Sequence, residues 1–214
     1  MARKKAQAST VIGQSLYSVH PGVLMVQKWI ETLPEKTGRS LDEWLALLQR
    51  EGPPTEQERR EWLKAKYKLG TNSAWWLAER SFGKGDEEDT PEAYLRTAEK
   101  YVEDMFSGAK VALRPLYDEL LKFCLNFAPD VKACPGKTIV PLYRNHVIAQ
   151  IKPSTRTRID FGLALGELKG AGRLIETGGF AKKDRITHRI EIKALKDIDK
   201  EVERWLRLAY ERDR

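Results

Sequence analysis

Between residues 131 and 189 the chain carries twelve lysines and arginines against four aspartates and glutamates, a local excess of +8 in a protein of formal net charge +7. Part of that excess sits in strand-like sequence. In Arg156-Thr157-Arg158-Ile159-Asp160, period-two alternation sets Arg156, Arg158 and Asp160 on one face and Ile159 and Phe161 on the other. One stretch earlier, Gln150 and Lys152 share a face, and Val147, Ala149 and Ile151 share its opposite. A polar sheet face would then gather Lys152, Arg156 and Arg158, with Arg144 at its edge. Guanidinium groups grip phosphate bidentately, whereas lysine supplies a mobile point charge. Lys182, Lys183 and Arg185 follow Gly178-Gly179 and would form a basic lip beside that face. Contacts of this kind position a phosphate backbone without reading bases. Tyr143 and Phe180 are the stacking candidates, and each suits core packing equally well. The competing explanation is plain solvation, because antiparallel sheets commonly keep one face wet.

Other chemistry finds little support. His20, His146 and His188 are far apart in the chain, and neither HExxH nor CxxC spacing occurs, so no metal or cofactor site is expected. Ser18 or Ser154 with His146 makes a triad only by arbitrary selection, since geometry defines such sites. Asp160 with Glu167 is an equally unspecific carboxylate pair. Gly162, Gly166, Gly170 and Gly172 are not followed by the lysine and serine of a phosphate loop and suit turns or close packing. Cys124 and Cys134 provide neither a disulfide framework nor a metal quartet. No catalytic residue is assigned.

The elements that must hold the basic residues read as two units. Residues 1–18 are expected to be a flexible arm, 19–83 a helical domain, 84–90 an acidic linker, and 91–214 an α+β domain. A helix begins at His20-Pro21-Gly22, with Pro34 and Gly38 interrupting it. Ser40 and Glu43 have the form of a capping box. Gly52-Pro53-Pro54 ends the second helix, Thr55 or a nearby polar residue caps a third, and Ser73 is placed as the cap of a fourth. Five of the six tryptophans, at 29, 44, 62, 75 and 76, fall in this unit. They are expected mainly as core, with Trp75 or Trp76 as the surface candidate. The last two helices invite a helix-turn-helix reading, but the second offers only Arg80 and Lys84 to base edges.

Gly83-Lys84-Gly85-Asp86-Glu87-Glu88-Asp89 combines flexibility with four acids and reads as the link. Thr90 and Pro91 restart a helix, and helical patterns cover 91–106 and 109–127 with Pro115 as a bend or a new start. Strand-like alternation occupies 138–144, 147–152, 156–163 and 186–192. Short links predict an antiparallel meander. Asp197 is expected to cap a final helix carrying Val202, Trp205, Leu206 and Ala209. The fold class is therefore α+β: a small N-terminal helical bundle, then a two-layer antiparallel sheet domain with flanking helices. No apolar run reaches the roughly 20 residues that span a bilayer, and no hydrophobic stretch follows Arg3-Lys4-Lys5. A cytoplasmic location without membrane contact is expected.

His20-Pro21-Gly22-Val23, the run from Thr37 to Trp44, and Leu69-Gly70-Thr71-Asn72 resemble the bacterial domain of unknown function 4287. Leu142-Tyr143-Arg144-Asn145-His146, the 156–162 strand and the Trp205 helix resemble domain of unknown function 5655. Together the two cover nearly everything after residue 15. The resemblance implies, for the second module, a small two-layer domain of a kind proposed to bind nucleic acid and sometimes found after nuclease-like domains. It supplies no catalytic residues to carry over. Iron-chaperone labels occur among distant relatives, and this sequence has no matching cluster of metal ligands. The leading expectation is noncatalytic binding of DNA, RNA or another phosphate-bearing ligand. The alternatives are protein interaction or oligomerisation through the Trp-rich helices, and a cofactor-independent enzyme; the sequence sets no oligomeric state.

Overall fold

His20 opens the first helix by capping it. Its Nδ1 accepts the Gly22 N–H at 2.9 Å, and Pro21 occupies a first-turn position where a missing N–H costs no bond. In the computed structural model, which describes residues 15–86 and 89–214, this helix is α1 (Pro21–Thr37). It runs through Pro34, where an interruption was expected. Pro34 lies in the last turn and removes one bond, and Gly38 at φ 76° closes the helix with its N–H on the Pro34 carbonyl.

The capping box predicted at Ser40 starts α2 (Leu41–Glu51), and Thr55, expected as a cap, forms a second box with Glu58 that starts α3 (Glu56–Tyr67). Helix α4 (Thr71–Arg80) departs from expectation, because Gly70 is its N-cap and offers no side chain. The Ser73 hydroxyl instead accepts the Trp29 indole N–H at 3.1 Å, a tertiary bond that replaces the cap. Trp29, Leu33, Trp44, Leu48, Leu63 and Leu77 form the core of this bundle. Arg80 is buried beneath it, bonded to Asp89 and the Gly85 carbonyl, with its guanidinium over Trp29. The helix-turn-helix reading thereby loses its main base-reading side chain.

The second unit begins as expected, with Thr90 capping α5 (Pro91–Met105). A 3-10 turn (Gly108–Leu113) leads into α6 (Arg114–Leu125), whose first turn contains Pro115, so this proline starts a helix. Six strands follow: β1 (Lys132–Ala133), β2 (Val140–Tyr143), β3 (Val147–Pro153), β4 (Ile159–Leu163), β5 (Ile175–Glu176) and β6 (His188–Ile192). They form one antiparallel sheet in the order β1-β2-β3-β4-β6-β5. The meander holds through β4, then β6 joins β4 and β5 folds outside β6. Helix α7 (Lys200–Arg212) is capped by Asp199, not Asp197, which instead accepts the Lys193 and Ala194 amides in a preceding turn.

One sheet face is apolar and covered. Val140, Leu142, Ala149, Ile151, Ile159, Phe161, Leu163, Ile190 and Ile192 are fully buried with Leu120 of α6 and Val202 and Leu206 of α7. Each large side chain contributes about 1.5–3 kcal/mol by burial, which fixes the strand faces and drives the charged positions to the other side. A register shift at Leu142/Tyr143 sets Val147 opposite Tyr143, so it faces outward with Gln150 instead of inward with Ala149.

Residues 1–14 of the expected arm, and Glu87 and Glu88 of the link, lie outside the described residues. Just after them, the Ser18 amide donates to the Ala133 carbonyl at 2.8 Å, and Val19 and Val23 pack with Tyr94 and Ala98. The start of α1 thus rests on the α+β unit. Among the described residues no helix is long and apolar enough to cross a membrane.

Candidate ligand face

Period-two alternation leaves Gln150 and Lys152 of β3, Asp160 and Gly162 of β4, and Arg189 and Glu191 of β6 on the outer face. Register aligns them in two rungs, Lys152–Asp160–Glu191 and Gln150–Gly162–Arg189. The five polar side chains are exposed or partly so, in contrast to the buried face. Strand β4 begins only at Ile159, so Arg156 and Arg158 belong to the turn, not to the strand where they were expected. Arg158 still reaches the face. Its Nη1 donates to Glu191 at 2.9 Å, and its Nε lies 2.9 Å from Asp160 in an ion pair without hydrogen-bond geometry. Arg189 bridges the same two carboxylates, each at 3.0 Å, and Lys193 holds Glu191 at 2.7 Å. Bonds from Lys193 and Arg189 lower the Glu191 carboxyl to about 2. Lys152, Arg158, Arg189 and Lys193 against Asp160 and Glu191 leave the face net positive by two, partly neutralised from within.

The basic residues chosen from sequence do not form one patch. Lys152 and Arg156 stand at the Pro153–Ile159 end of the sheet, while Lys182, Lys183 and Arg185 belong to the loop entering β6 at the Leu163–His188 end. Lys152, Arg156, Lys182 and Lys183 are exposed, and none of them has an ion pair among the described residues. Phe180 is 49% exposed in a 3-10 turn (Phe180–Lys182), whereas Tyr143 is half-buried.

Arg144 and Arg185 are committed elsewhere. Arg144 donates to the Tyr210 and Asp213 carbonyls, each at 3.0 Å, pairs with Asp130 at 3.2 Å and stacks on Tyr210. Arg185 donates to the Val147 carbonyl at 2.9 Å and to Asp213 at 2.6 Å. The Asp213 carboxylate, only 1% exposed, also accepts the Asn145 and His146 amides and His146 Nδ1, each at 2.9 Å. Burial alone would raise the Asp213 carboxyl, but these donors outweigh it and hold the group below its ordinary value. Asp213 therefore locks the β2–β3 turn to the end of α7. Nothing in the local sequence marks it, because its partners lie 28 to 68 residues earlier.

At one edge of the outer face lies a cleft of about 580 Å³, bounded by His20, β2, β3 and the loop before β6. Ile139, Pro141, Val147 and Ile186 supply apolar walls, and Tyr143, Gln150, Thr177, Asp184 and Arg185 supply polar groups. His20 fixes the hydrogen bonding. Its Nδ1 already accepts from Gly22, so the neutral ring carries its proton on Nε2 and donates to the Tyr143 oxygen at 3.0 Å. Burial keeps the imidazole below its usual pKa and raises the Tyr143 phenol, with Cys134 adding to the latter. The Tyr143 O–H is then free to donate into the cleft. The Gln150 carboxamide and the Asp184 carboxylate have no side-chain partner among the described residues. Gly162 lets Gln150 lie flat: a Cβ there would come within 2.8 Å of both Gln150 Cγ and Ile186 Cγ2.

A second cleft, about 310 Å³, gathers His188 with Glu167 and Glu176, a grouping that would suit an enzyme. Its chemistry is already occupied. His188 Nε2 donates to the Leu168 carbonyl at 2.7 Å, and Nδ1 accepts from Thr187 at 2.8 Å. Glu176 accepts the Gly170 amide, which lowers its carboxyl. Cys124 and Cys134 are buried thiols, with Cys134 pushed up to about 12 by desolvation, the reverse of a reactive cysteine. Among the described residues no three histidine, cysteine or carboxylate side chains are grouped to hold a metal. On the helical unit, Leu24 and Met25 are exposed on α1, and Trp75 is 44% exposed beside Arg60.

A two-layer α+β unit with an open, charged sheet face and a neighbouring cleft is thus joined to a four-helix bundle. Residues 102–213 match the family model described as Domain of unknown function (DUF5655), and residues 25–79 match Domain of unknown function (DUF4287). The first match spans more than half of the chain, which belongs to the DUF5655 family and carries a DUF4287 module in its helical bundle. No curated protein and no solved structure matches it.

Proposed function

We propose that this protein is a noncatalytic binder of single-stranded nucleic acid or a comparable phosphate-bearing chain, which it holds across the open sheet face. The observation that carries the reading is the placement of four cations without carboxylate partners, Lys152 and Arg156 at one end and Lys182 and Lys183 at the other. The five residues of β4 between those ends span about 13 Å at 3.3 Å per residue, a distance over which an extended chain of phosphates meets both. Arg158 and Arg189, held flat by Asp160 and Glu191, line the path between them. The setting that goes with this reading is the cytoplasm.

The test is fluorescence anisotropy with a labelled ten-nucleotide DNA, the matching RNA and inorganic polyphosphate, from 20 to 200 mM salt. Four phosphate contacts give a log–log salt slope of about −3 for a single strand. Replacing Lys152 and Arg156 by glutamate should flatten it by about 1.4, as should replacing Lys182 and Lys183. Absence of binding to all three probes at low salt overturns the reading.

A further inference from the structure

The cleft beside the sheet has a different chemistry from the cations at its ends. Its walls are aliphatic, and its polar groups are few and point in two senses. Tyr143 offers a hydroxyl hydrogen, Gln150 offers a donor and an acceptor side by side, and Asp184 offers acceptors only. A free phosphate would meet the Asp184 carboxylate, while Arg185 in the same lining is already engaged by the Val147 carbonyl and Asp213. A sugar would leave most hydroxyls against Ile139, Pro141, Val147 and Ile186, and an alkyl chain would cover Gln150 and Asp184 without pairing them. A flat heteroaromatic ring satisfies both features, with apolar faces for the walls and alternating donors and acceptors along its edge. Side-by-side pairing of a glutamine carboxamide with the edge of a base is an established mode of recognition. The volume of about 580 Å³ holds a nucleoside.

We infer that the cleft lined by Tyr143, Gln150 and Asp184 is a nucleobase-binding subsite, filled by one unstacked base of the strand whose phosphates cross the sheet. This deepens the proposed function and rests on it for the source of the base, but the pocket chemistry is independent of phosphate. The neutral His20 ring, by donating to Tyr143, orients the hydroxyl without competing for its hydrogen. Gly162 positions Gln150 from beneath.

Uncharged nucleosides separate the two ideas. Calorimetric titration of the full chain with adenosine, guanosine, cytidine and uridine, and with ribose as the base-free control, should show at least one nucleoside binding and ribose at least tenfold weaker. Gln150→Leu should weaken the best nucleoside by about tenfold. Tyr143→Phe keeps the ring but removes the acceptor of His20, and it should weaken binding severalfold, with a retained cooperative melt verifying the fold. Glutamates at Lys182 and Lys183 should leave nucleoside affinity unchanged while reducing oligonucleotide binding. The subsite is overturned if no nucleoside binds at millimolar concentration, if ribose binds as well, or if a folded Tyr143→Phe and a folded Gln150→Leu both bind normally. Salt-dependent oligonucleotide binding without nucleoside binding would sink the subsite alone. Nucleoside binding without any oligonucleotide or polyphosphate binding would sustain the cleft and sink the phosphate path.

Discussion

Asp213→Ala removes the buried carboxylate that ties the β2–β3 turn to the end of α7. The buried oxygens accept two main-chain amides, the His146 ring and the Arg185 guanidinium. His146 and Arg185 are 64% and 50% exposed, so water replaces most of what they lose and their pairing contributes at most about 1 kcal/mol each. The two amides bond an acceptor that is itself only 1% exposed, and hydrogen bonds to a charged acceptor are worth about 1.5–3 kcal/mol apiece before relaxation. A net loss of about 2–4 kcal/mol follows, equivalent to a fall in Tm of roughly 4–16 °C for a chain of this size. Asp213→Asn keeps one acceptor oxygen and should lose about half as much.

The Asp213 carboxyl is lower in the folded protein than its ordinary 3.8, so its stabilisation is fully present above that value and disappears as pH falls through the folded pKa. Urea denaturation followed by circular dichroism at neutral pH, repeated below pH 4, should therefore show the gap between the natural protein and Asp213→Asn closing in acid. A neutral-pH loss under about 1 kcal/mol for Asp213→Ala, or a gap that does not narrow in acid, refutes the reasoning.

Gly162→Ala forces a methyl group within 2.8 Å of Gln150 and Ile186 and should cost about 1–3 kcal/mol by overpacking; the same titration reads it, and nucleoside affinity should fall with it. Arg80→Met takes the guanidinium away from the Asp89 carboxylate and from the Gly85 carbonyl. With Asp89 only 21% exposed, the loss should be about 2–4 kcal/mol in the same denaturation experiment. An unchanged midpoint would show that the link is not anchored through this guanidinium.

Local rules were sufficient for much of the architecture. The boxes at Ser40 and Thr55, the Thr90–Pro91 start and four of the six strands follow from bonds and alternation within a few residues of each position. The misplacements have tertiary causes. Ser73 was drawn to Trp29 across the bundle, Pro34 was absorbed by the last helical turn, and Asp197 surrendered the cap to Asp199 by bonding backwards. Strands β1 and β5, at two residues each, are too short to carry a period.

For the candidate ligand face, the sequence by itself determined that the 131–189 segment is strongly basic and that a strand alternation would sort charge from core. That sorting is local, since burial of Ile159, Phe161 and Leu163 compels Asp160 to face outward. Which cations remain unpaired was decided only by the fold, because pairing depends on what register brings alongside: Glu191 to Arg158, and Asp213 to Arg185. The cleft was likewise beyond the reach of local pattern. His20 and Tyr143 are 123 positions apart, and only the packing of the first helix against the sheet makes one orient the other.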